Sequence, residues 1–458
     1  MLEVKTFKQE LDYKDVLVYV NRHKMEIGRK QHLKDYYDNK TMIKYKQQTD
    51  PSKPCNRISN PYCSYISDTI TGYFMNANAV SYQFEDSMIG DKFNDIQRYN
   101  DESAHNTALA LDCSIYGCAC ELLYLDETLM PRYKRIDPLE VIMIYDCTVD
   151  ENPVGAIRHF KIQDYASYKE KEYVEYYTKD TVHYFYADEE NNIQSIRVME
   201  HFFQDVPLNI YKNNNDLSGD FEKVIDIIDA YNSVQSMTLD DIESISNSIL
   251  LISGVALCDE IVKNIREMRL LNILDNQGKA EYLTKEIPDT EQYKSRLLND
   301  LFTLSSVPNM NDENFGNNLS GVSIQFKLSN LEMKCAIKES FFKKALLRRL
   351  ELMANVIGLL GSIQSQELIK DVQIKFERNK IDNTNEVINQ AIQLSSILSK
   401  ESTLALLSEF ILSVDDEMQK LDTEREENMT MFNSYGSHDF KTEDGEQEDK
   451  EEEVDGDE

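Results

Sequence analysis

The 458 residues include no tryptophan, an absence of little consequence. Other shortages exclude more. Nowhere do about 18 apolar residues follow one another, so no membrane-spanning helix is expected. The start MLEVKTFKQELDYKDV has no apolar signal core, so secretion is not expected either. Eight cysteines in so long a chain make no disulfide framework, and free thiols in a reducing compartment are the simpler reading. Cations are scarce: 49 Lys and Arg stand against 82 Asp and Glu, a formal charge of −33. Such a surface repels nucleic acid at long range and argues against DNA wrapping. It leaves room for a protein that surrounds DNA without gripping it. Catalytic motifs are missing as well. GKA at Gly278 lacks the flanking glycine and Ser/Thr of a phosphate-binding loop, and there is no dinucleotide fingerprint, nucleophile elbow or HExxH helix. The seven His are scattered, and His159 and His183 sit in strand-like segments where satisfied sheet or surface roles are expected.

What is present suffices for a core: 41% of residues are hydrophobic and 29% charged, and the length suits two to four domains. Residues 1 to about 50 read as polar helix, with YKDVLVYVNRHKMEIGRKQHLKDYYDN the main element before Pro51 and Pro54. Helical spacing at Tyr65, Ile66, Ile70 and Tyr73 gives way to alternation at Val80, Tyr82 and Phe84. DESAHNTALALDCSIYGCACELLYLD repeats that grammar, a helix ending near Gly117 and a strand following. From about 130 to 212, β-branched and aromatic runs between turn signals predict a meandering antiparallel sheet. Phe221, Val224, Ile228, Tyr231, Ile242, Ile245 and Ile249 then mark one helix of roughly 45 Å at 1.5 Å per residue. A small α/β insert at 250–288 and a second helix from Asp289 follow. After SIQFKL, a long helix is expected from about Asn330 to Leu360, then a strand in DVQIKFERN and three more helices, with Ser399 and Asp415 as N-caps. The last twenty residues hold twelve acidic and two basic side chains and should be disordered.

Three features invite a functional reading. Cys113, Cys118 and Cys120 offer soft-metal ligands, but a structural zinc site usually needs four ligands at CxxC-type spacing. Cys118 and Cys120 on one strand face would equally be small apolar residues. The island KESFFKKALLRRLELM places Lys334 one turn from Lys338, and Lys344 one turn from Arg348. Those cations either pair with carboxylates of a neighbouring subunit or with Glu339 and Glu351, or face phosphates. Phe341, Phe342, Leu346 and Leu347 interleave and demand packing. Finally, VPNMNDENFGNNLSGV, Val307–Val322, interrupts two good helices with five Asn and no Lys or Arg. Long loops inside compact domains are often functional or disordered.

Several stretches in order resemble portal proteins of long-tailed phages of Gram-positive hosts. They are NRISNPYCSYISDTITGYFM, the strong HFFQDVPLNIYKNNNDLSGDFEKVIDIIDAYNSVQSMTLDDIESISNSILLISG, LSGVSIQFKLSNLEMKCAIKESFFKKALLRRLELM and DDEMQKLDTEREEN, together spanning about 55 to 428. The resemblance implies an α+β portal fold that forms rings. Its parts would be a wing at 1–215 and 323–379, stem helices at 216–249 and 289–307, and a clip at 250–288. A tunnel loop would lie at 308–322, a helical crown at 380–428 and an acidic tail at 429–458. It implies a homododecamer at one capsid vertex, in the virion and in host cytoplasm during assembly, through which double-stranded DNA is packaged and ejected. Large terminase, a head-completion adaptor, and the major capsid and scaffolding proteins would be its partners. It implies no enzyme activity and no cofactor or metal. Asn309, Asn311, Asp312, Glu313, Asn314, Asn317 and Asn318 would face the channel, Arg266, Arg269, Asp275, Asn276 and Lys279 would meet clip partners, and Lys338, Lys344 and Arg348 would lie at a subunit interface or toward DNA. The alternatives are a soluble oligomeric scaffold or adaptor with an acidic docking tail, and an enzyme built on the Cys113–Cys120 segment with a metal.

Overall fold

Period-two alternation builds the larger of two stacked sheets in the computed structural model. The structure describes residues 2–8, 10–51, 53–76, 79–163, 170–187, 193–246, 249–253, 279–283, 289–309, 321–361, 368–369, 371–378, 388, 391–407, 414 and 417–425. The chain divides into two units, Met1–Lys380 and Ile381–Glu458.

In the first unit, strands β5 (Val141–Tyr145), β6 (Pro153–Gln163), β7 (Glu170–Tyr177), β8 (Thr181–Ala187) and β9 (Ile193–Glu200) form the expected antiparallel meander. One strand was not legible in the sequence. Leu2–Lys5, placed in polar helix, is β1 and pairs in parallel with β5, Leu2 opposite Ile142 and Lys5 opposite Tyr145. Helix α1 (Tyr13–Glu26) starts at Asp12, whose carboxylate accepts the Asp15 N–H at 2.8 Å. Its Val16 and Val20 pack on Ile142, Ile144, Ile157, Val174 and Phe185 of the sheet, and each fully buried aliphatic side chain contributes roughly 1.5–3 kcal/mol. The single long helix expected here is divided at Ile27 into α1 and α2 (Gly28–Tyr37).

The other face of the large sheet meets a second one. Strands β10 (Leu208–Lys212) and β4 (Pro131–Ile136) flank β3 (Cys118–Leu125), all antiparallel. Residues on β3 alternate between two environments. Cys118, Cys120 and Leu122 pack toward Val141, Met143, Ala156 and Val182 of the large sheet. Ala119, with Tyr211 of β10, faces a helical core instead, and Leu123 joins a third cluster. That helical layer contains α3 (Tyr62–Phe74), α5 (Glu102–Tyr116) and a 41-residue helix, Gly321–Gly361. Gly117 ends α5 with φ +80°, and a Cβ there would meet the Leu217 carbonyl oxygen at 2.0 Å. Only glycine fits that left-handed, crowded position.

Helix α4 (Ser87–Tyr99) packs Phe93 and Ile96 near Leu350, Met353 and Val356 of the 41-residue helix. Beyond that helix the chain returns to its N-terminal part. Strand β13 (Gln373–Phe376) pairs antiparallel with β2 (Val80–Gln83), and Arg378 bridges Glu332 at 3.3 Å and Glu339 at 2.6 Å. The long helix begins at Gly321, so SIQFKL is helical and not a separate short segment before Asn330. Ile324, Leu328, Leu331 and Cys335 keep a 3–4 spacing across that boundary, which overrides the local alternation.

In the second unit, the short helix Lys400–Leu406 is capped by Ser399, whose Oγ accepts the Ser402 N–H at 3.2 Å. Asp415 lies outside the described residues. Among the described residues, no helix is long and apolar enough to cross a membrane.

Candidate functional site at the base of a helical arm

Two helices and a ribbon form an arm. Helix α6 (Ile225–Ser246) leads into β11 (Ile249–Ser253), which pairs antiparallel with β12 (Lys279–Leu283), Ile249 opposite Leu283 and Ser253 opposite Lys279. Helix α7 (Glu291–Ser305) then returns along α6. The Thr238 and Thr290 hydroxyls meet at 3.2 Å, while Tyr62 touches both Tyr231 and Phe302 edge-on. Near Ile249 the sequence continues the helical stripe, yet that residue is in a strand, because ILLIS finds KAEYL as its partner. The helix is therefore shorter than the expected run to 249.

An extended segment is pinned along α6. The N–H groups of Asn56, Ile58 and Asn60 donate to Asp240 Oδ1 (2.6 Å), Ser236 Oγ (3.0 Å) and Asn232 Oδ1 (3.0 Å). The spacing follows from geometry: two extended residues advance about 6.6 Å and four helical ones about 6 Å. Antiparallel to α6, alternate amides therefore meet side chains one turn apart.

The arm joins the body at Asp220. Its N–H donates to Ser114 O at 2.7 Å, and its carboxylate accepts Asn213 Nδ2 at 3.1 Å. The same buried carboxylate bonds the Lys338 ammonium and lies 3.4 Å from that of Lys334. Burial pushes its pKa up, but the two ammonium groups outweigh that and hold it at about 2. Lys334 also donates to Ser305 O at 3.0 Å and Asp220 O at 3.3 Å. A cation at the α7 C-terminus suits the exposed carbonyls there. One lysine on the long helix thus ties down where α6 is entered and where α7 ends. Burial lowers its pKa against the pull of Asp220.

A second buried network fastens the same long helix, here called α8, to β3 and α5. Arg349 is fully buried, 2.7 Å from Glu121, 2.9 Å from Glu102, and 2.8 Å from Asn106 Oδ1. Its guanidinium lies over the Tyr133 ring at 4.5 Å. Glu121 also meets His105 Nε2 at 2.7 Å and accepts the Tyr211 hydroxyl at 3.0 Å. Burial raises the Glu121 pKa, and Arg349 and His105 pull it back to about 2.

The predicted residues fall unevenly on this frame. Lys338 is buried in its bond to Asp220, so it faces neither DNA nor a neighbouring subunit. Arg348 bonds Asp205 at 3.0 Å and Val206 O at 3.3 Å within the chain, whereas Lys344 is exposed. Lys343, next to it, pairs with Glu339 one turn back. Asn309 is half-buried; Asn311, Asp312, Glu313, Asn314, Asn317 and Asn318 lie outside the described residues. So do Arg266, Arg269, Asp275 and Asn276, while Lys279 opens β12. The three cysteines do not converge: Cys118 and Cys120 enter one core, and Cys113 enters another with its thiol on Tyr211 O at 3.4 Å. Burial pushes the Cys113 and Cys120 thiols up, away from the thiolate form that binds metal. His159 meets His23 at 2.7 Å and Glu172 at 3.3 Å, and His183 meets Tyr13 and Thr181, so both are satisfied within the sheet region.

The sequence marks Asp220 only as the start of a helical pattern and Arg349 only as one cation of a basic island. Arg349 does break an apolar stripe, seven residues after Phe342, three after Leu346 and four before Met353. Glu121 likewise interrupts an apolar strand. A charge on the buried period is the signal that marks such pairs.

A family model described as phage portal protein, SPP1 Gp6-like, matches residues 17–431. The portal protein of Bacillus phage SPP1 is 20% identical over 409 residues, covering 82% of this chain and 78% of that protein. The portal protein of Clostridium phage phiCD119 is 23% identical over 382 residues, covering 76% and 82%. Among solved structures, a chain from the neck of the native GTA particle, computed with C12 symmetry, aligns with a TM-score of 0.43 at 12% identity, covering 76% of this chain and 89% of its own.

Proposed function

This chain belongs to the SPP1 Gp6-like family of phage portal proteins, and from that premise we propose that it is a passive conduit for double-stranded DNA at one capsid vertex. Twelve copies form the ring. The genome enters through its channel during packaging and leaves through it at infection. A terminase motor docks first and a head-completion adaptor later, while capsid and scaffolding proteins hold the rim. The observation that carries this reading is the family match over residues 17–431.

Physical features support it. The α6–α7 arm with its two-stranded ribbon serves as stem and clip, with residues 250–288 offered to the motor and adaptor. Residues 308–322, which follow α7 and run into the first turn of α8, line the channel, while 380–428 form the crown. The body, built from 1–215 and 323–379, is the wing. The charge of −33 keeps the phosphate backbone from sticking to the walls. Bound phosphates would otherwise have to be released at every step. The work of packaging comes from the partner motor, so this chain contributes shape and charge and no bond-making step.

Native mass measurement and negative-stain imaging of the purified full chain test the proposal. Closed rings with a hole wide enough for duplex DNA are expected. A stable monomer at high concentration overturns it, and small open oligomers would favour a soluble scaffold with an acidic docking tail.

A further inference from the structure

One face of α8 (Gly321–Gly361) is apolar although it is exposed. The opposite face carries the buried Leu331, Cys335, Phe342, Leu346 and Arg349. On the outer side, Phe326, Met333 and Ile337 are 73%, 59% and 56% exposed, and Leu347 is 38% exposed. The intervals of seven and four residues keep the first three within about 40° of one another at 3.6 residues per turn. Ten residues between Gln325 and Leu347 are exposed, and Lys344 alone among them is charged. The chain as a whole is 29% charged, so about three charges would be expected on such a surface. The serines there present no donor outward, since Ser329 Oγ bonds Phe326 O and Ser340 Oγ bonds Ile337 O, both at 2.7 Å. The strip runs about 32 Å along the helix.

We infer that this outer face of α8 is where a second copy of the chain docks, an inference that rests on the ring reading above. Electrostatics selects that occupant. Each copy carries −33, so surfaces bearing carboxylates repel one another and must be desolvated on contact. A strip whose one carboxylate, Glu332 at its margin, is already paired with Arg378 lets two such copies meet at little Coulombic cost. Small residues between the large apolar ones allow close approach, and Lys344 at one end faces an acidic neighbour favourably. DNA does not fit the strip, because phosphate contacts need cations and only Lys344 supplies one. The contact is heterologous: the strip meets a different patch on the next copy, as a closed ring demands.

The test uses the full chain with Met333→Lys and Ile337→Lys together, assembled beside the wild type and measured by native mass and negative stain. At least a tenfold loss of the ring fraction is expected, with the far-UV spectrum and thermal midpoint kept. Both positions are solvent-exposed in the single chain, so the lysines remain hydrated when it folds alone. A photoreactive apolar residue at Met333 gives the second readout, since it leaves the strip apolar: cross-links between subunits are expected. Rings that form equally well from the double variant, or cross-links confined to one chain, overturn this inference and leave the ring reading standing. A wild type that forms no ring overturns the ring reading, and this inference with it.

Discussion

At the scale of single residues, Asp220 decides how the arm is held. It is a buried carboxylate with two ammonium groups against it. Removing one partner from a buried ion pair leaves an uncompensated charge, which costs about 3–5 kcal/mol. Asp220→Asn should therefore lower the unfolding free energy by about that much, read from urea curves at neutral pH. An effect below about 1 kcal/mol would mean that the lysines find other partners. Acid provides a second test. The Asp220 carboxyl titrates at about 2 in the folded chain against a usual 3.8, and Glu121 at about 2 against 4.5. Both are depressed acids, so the stability they add is fully present above about pH 4.5. It is lost as the pH falls from there through 2. Unfolding free energy should thus be flat above pH 5 and drop steeply between pH 4 and 2, with a shallower slope in the Asp220→Asn variant. An equally steep slope there would assign the acid sensitivity to other groups.

At the scale of elements, α8 is organised by what sits on its buried side. Arg349 links it to β3 through Glu121 and to α5 through Glu102. Arg349→Met should cost about 3–5 kcal/mol, because two carboxylates then lose their cation. Adding Glu121→Leu should recover part of that loss, since a buried pair replaced whole by apolar groups is often neutral. A double-mutant cycle in urea measures the coupling; additive losses would mean that the pair does not act as a unit. Much of the element plan was legible in the sequence. The meander from Val141 to Glu200 follows its alternation, and Glu291–Ser305 follows its 3–4 spacing. Other features were not legible because their cause is non-local. Leu2–Lys5 is a strand because β5 offers an edge, and Ile249 leaves the helical stripe because β12 pairs with it. The amides of Asn56, Ile58 and Asn60 carry no local sign that side chains of α6 will accept them. The cations of α8 form a visible island, but the carboxylates that hold Lys334, Lys338, Arg348 and Arg349 lie more than a hundred positions away, so periodicity cannot say which of them are buried.

At the scale of the whole molecule, charge sets how the proposed ring would treat duplex DNA. A protein that grips duplex DNA neutralises phosphates with Lys and Arg and releases counterions, so log affinity falls with log salt at a slope of about −0.9 per phosphate contact. This chain has 33 more acidic than basic residues. Two of the three α8 cations that the resemblance places at a subunit interface or toward DNA, Lys338 and Arg348, are already bonded to Asp220 and Asp205. That leaves Lys344 exposed among the three. The assembled ring should therefore hold linear duplex DNA weakly at physiological salt, with a slope between 0 and about −2 by fluorescence anisotropy. Lys344→Ala should change that slope by no more than about one. A slope near −6 or steeper would describe a surface that binds several phosphates at once. Such a surface would have to be torn from the backbone at each step, and the reading of the channel as a low-friction conduit would fail even if the rings themselves form.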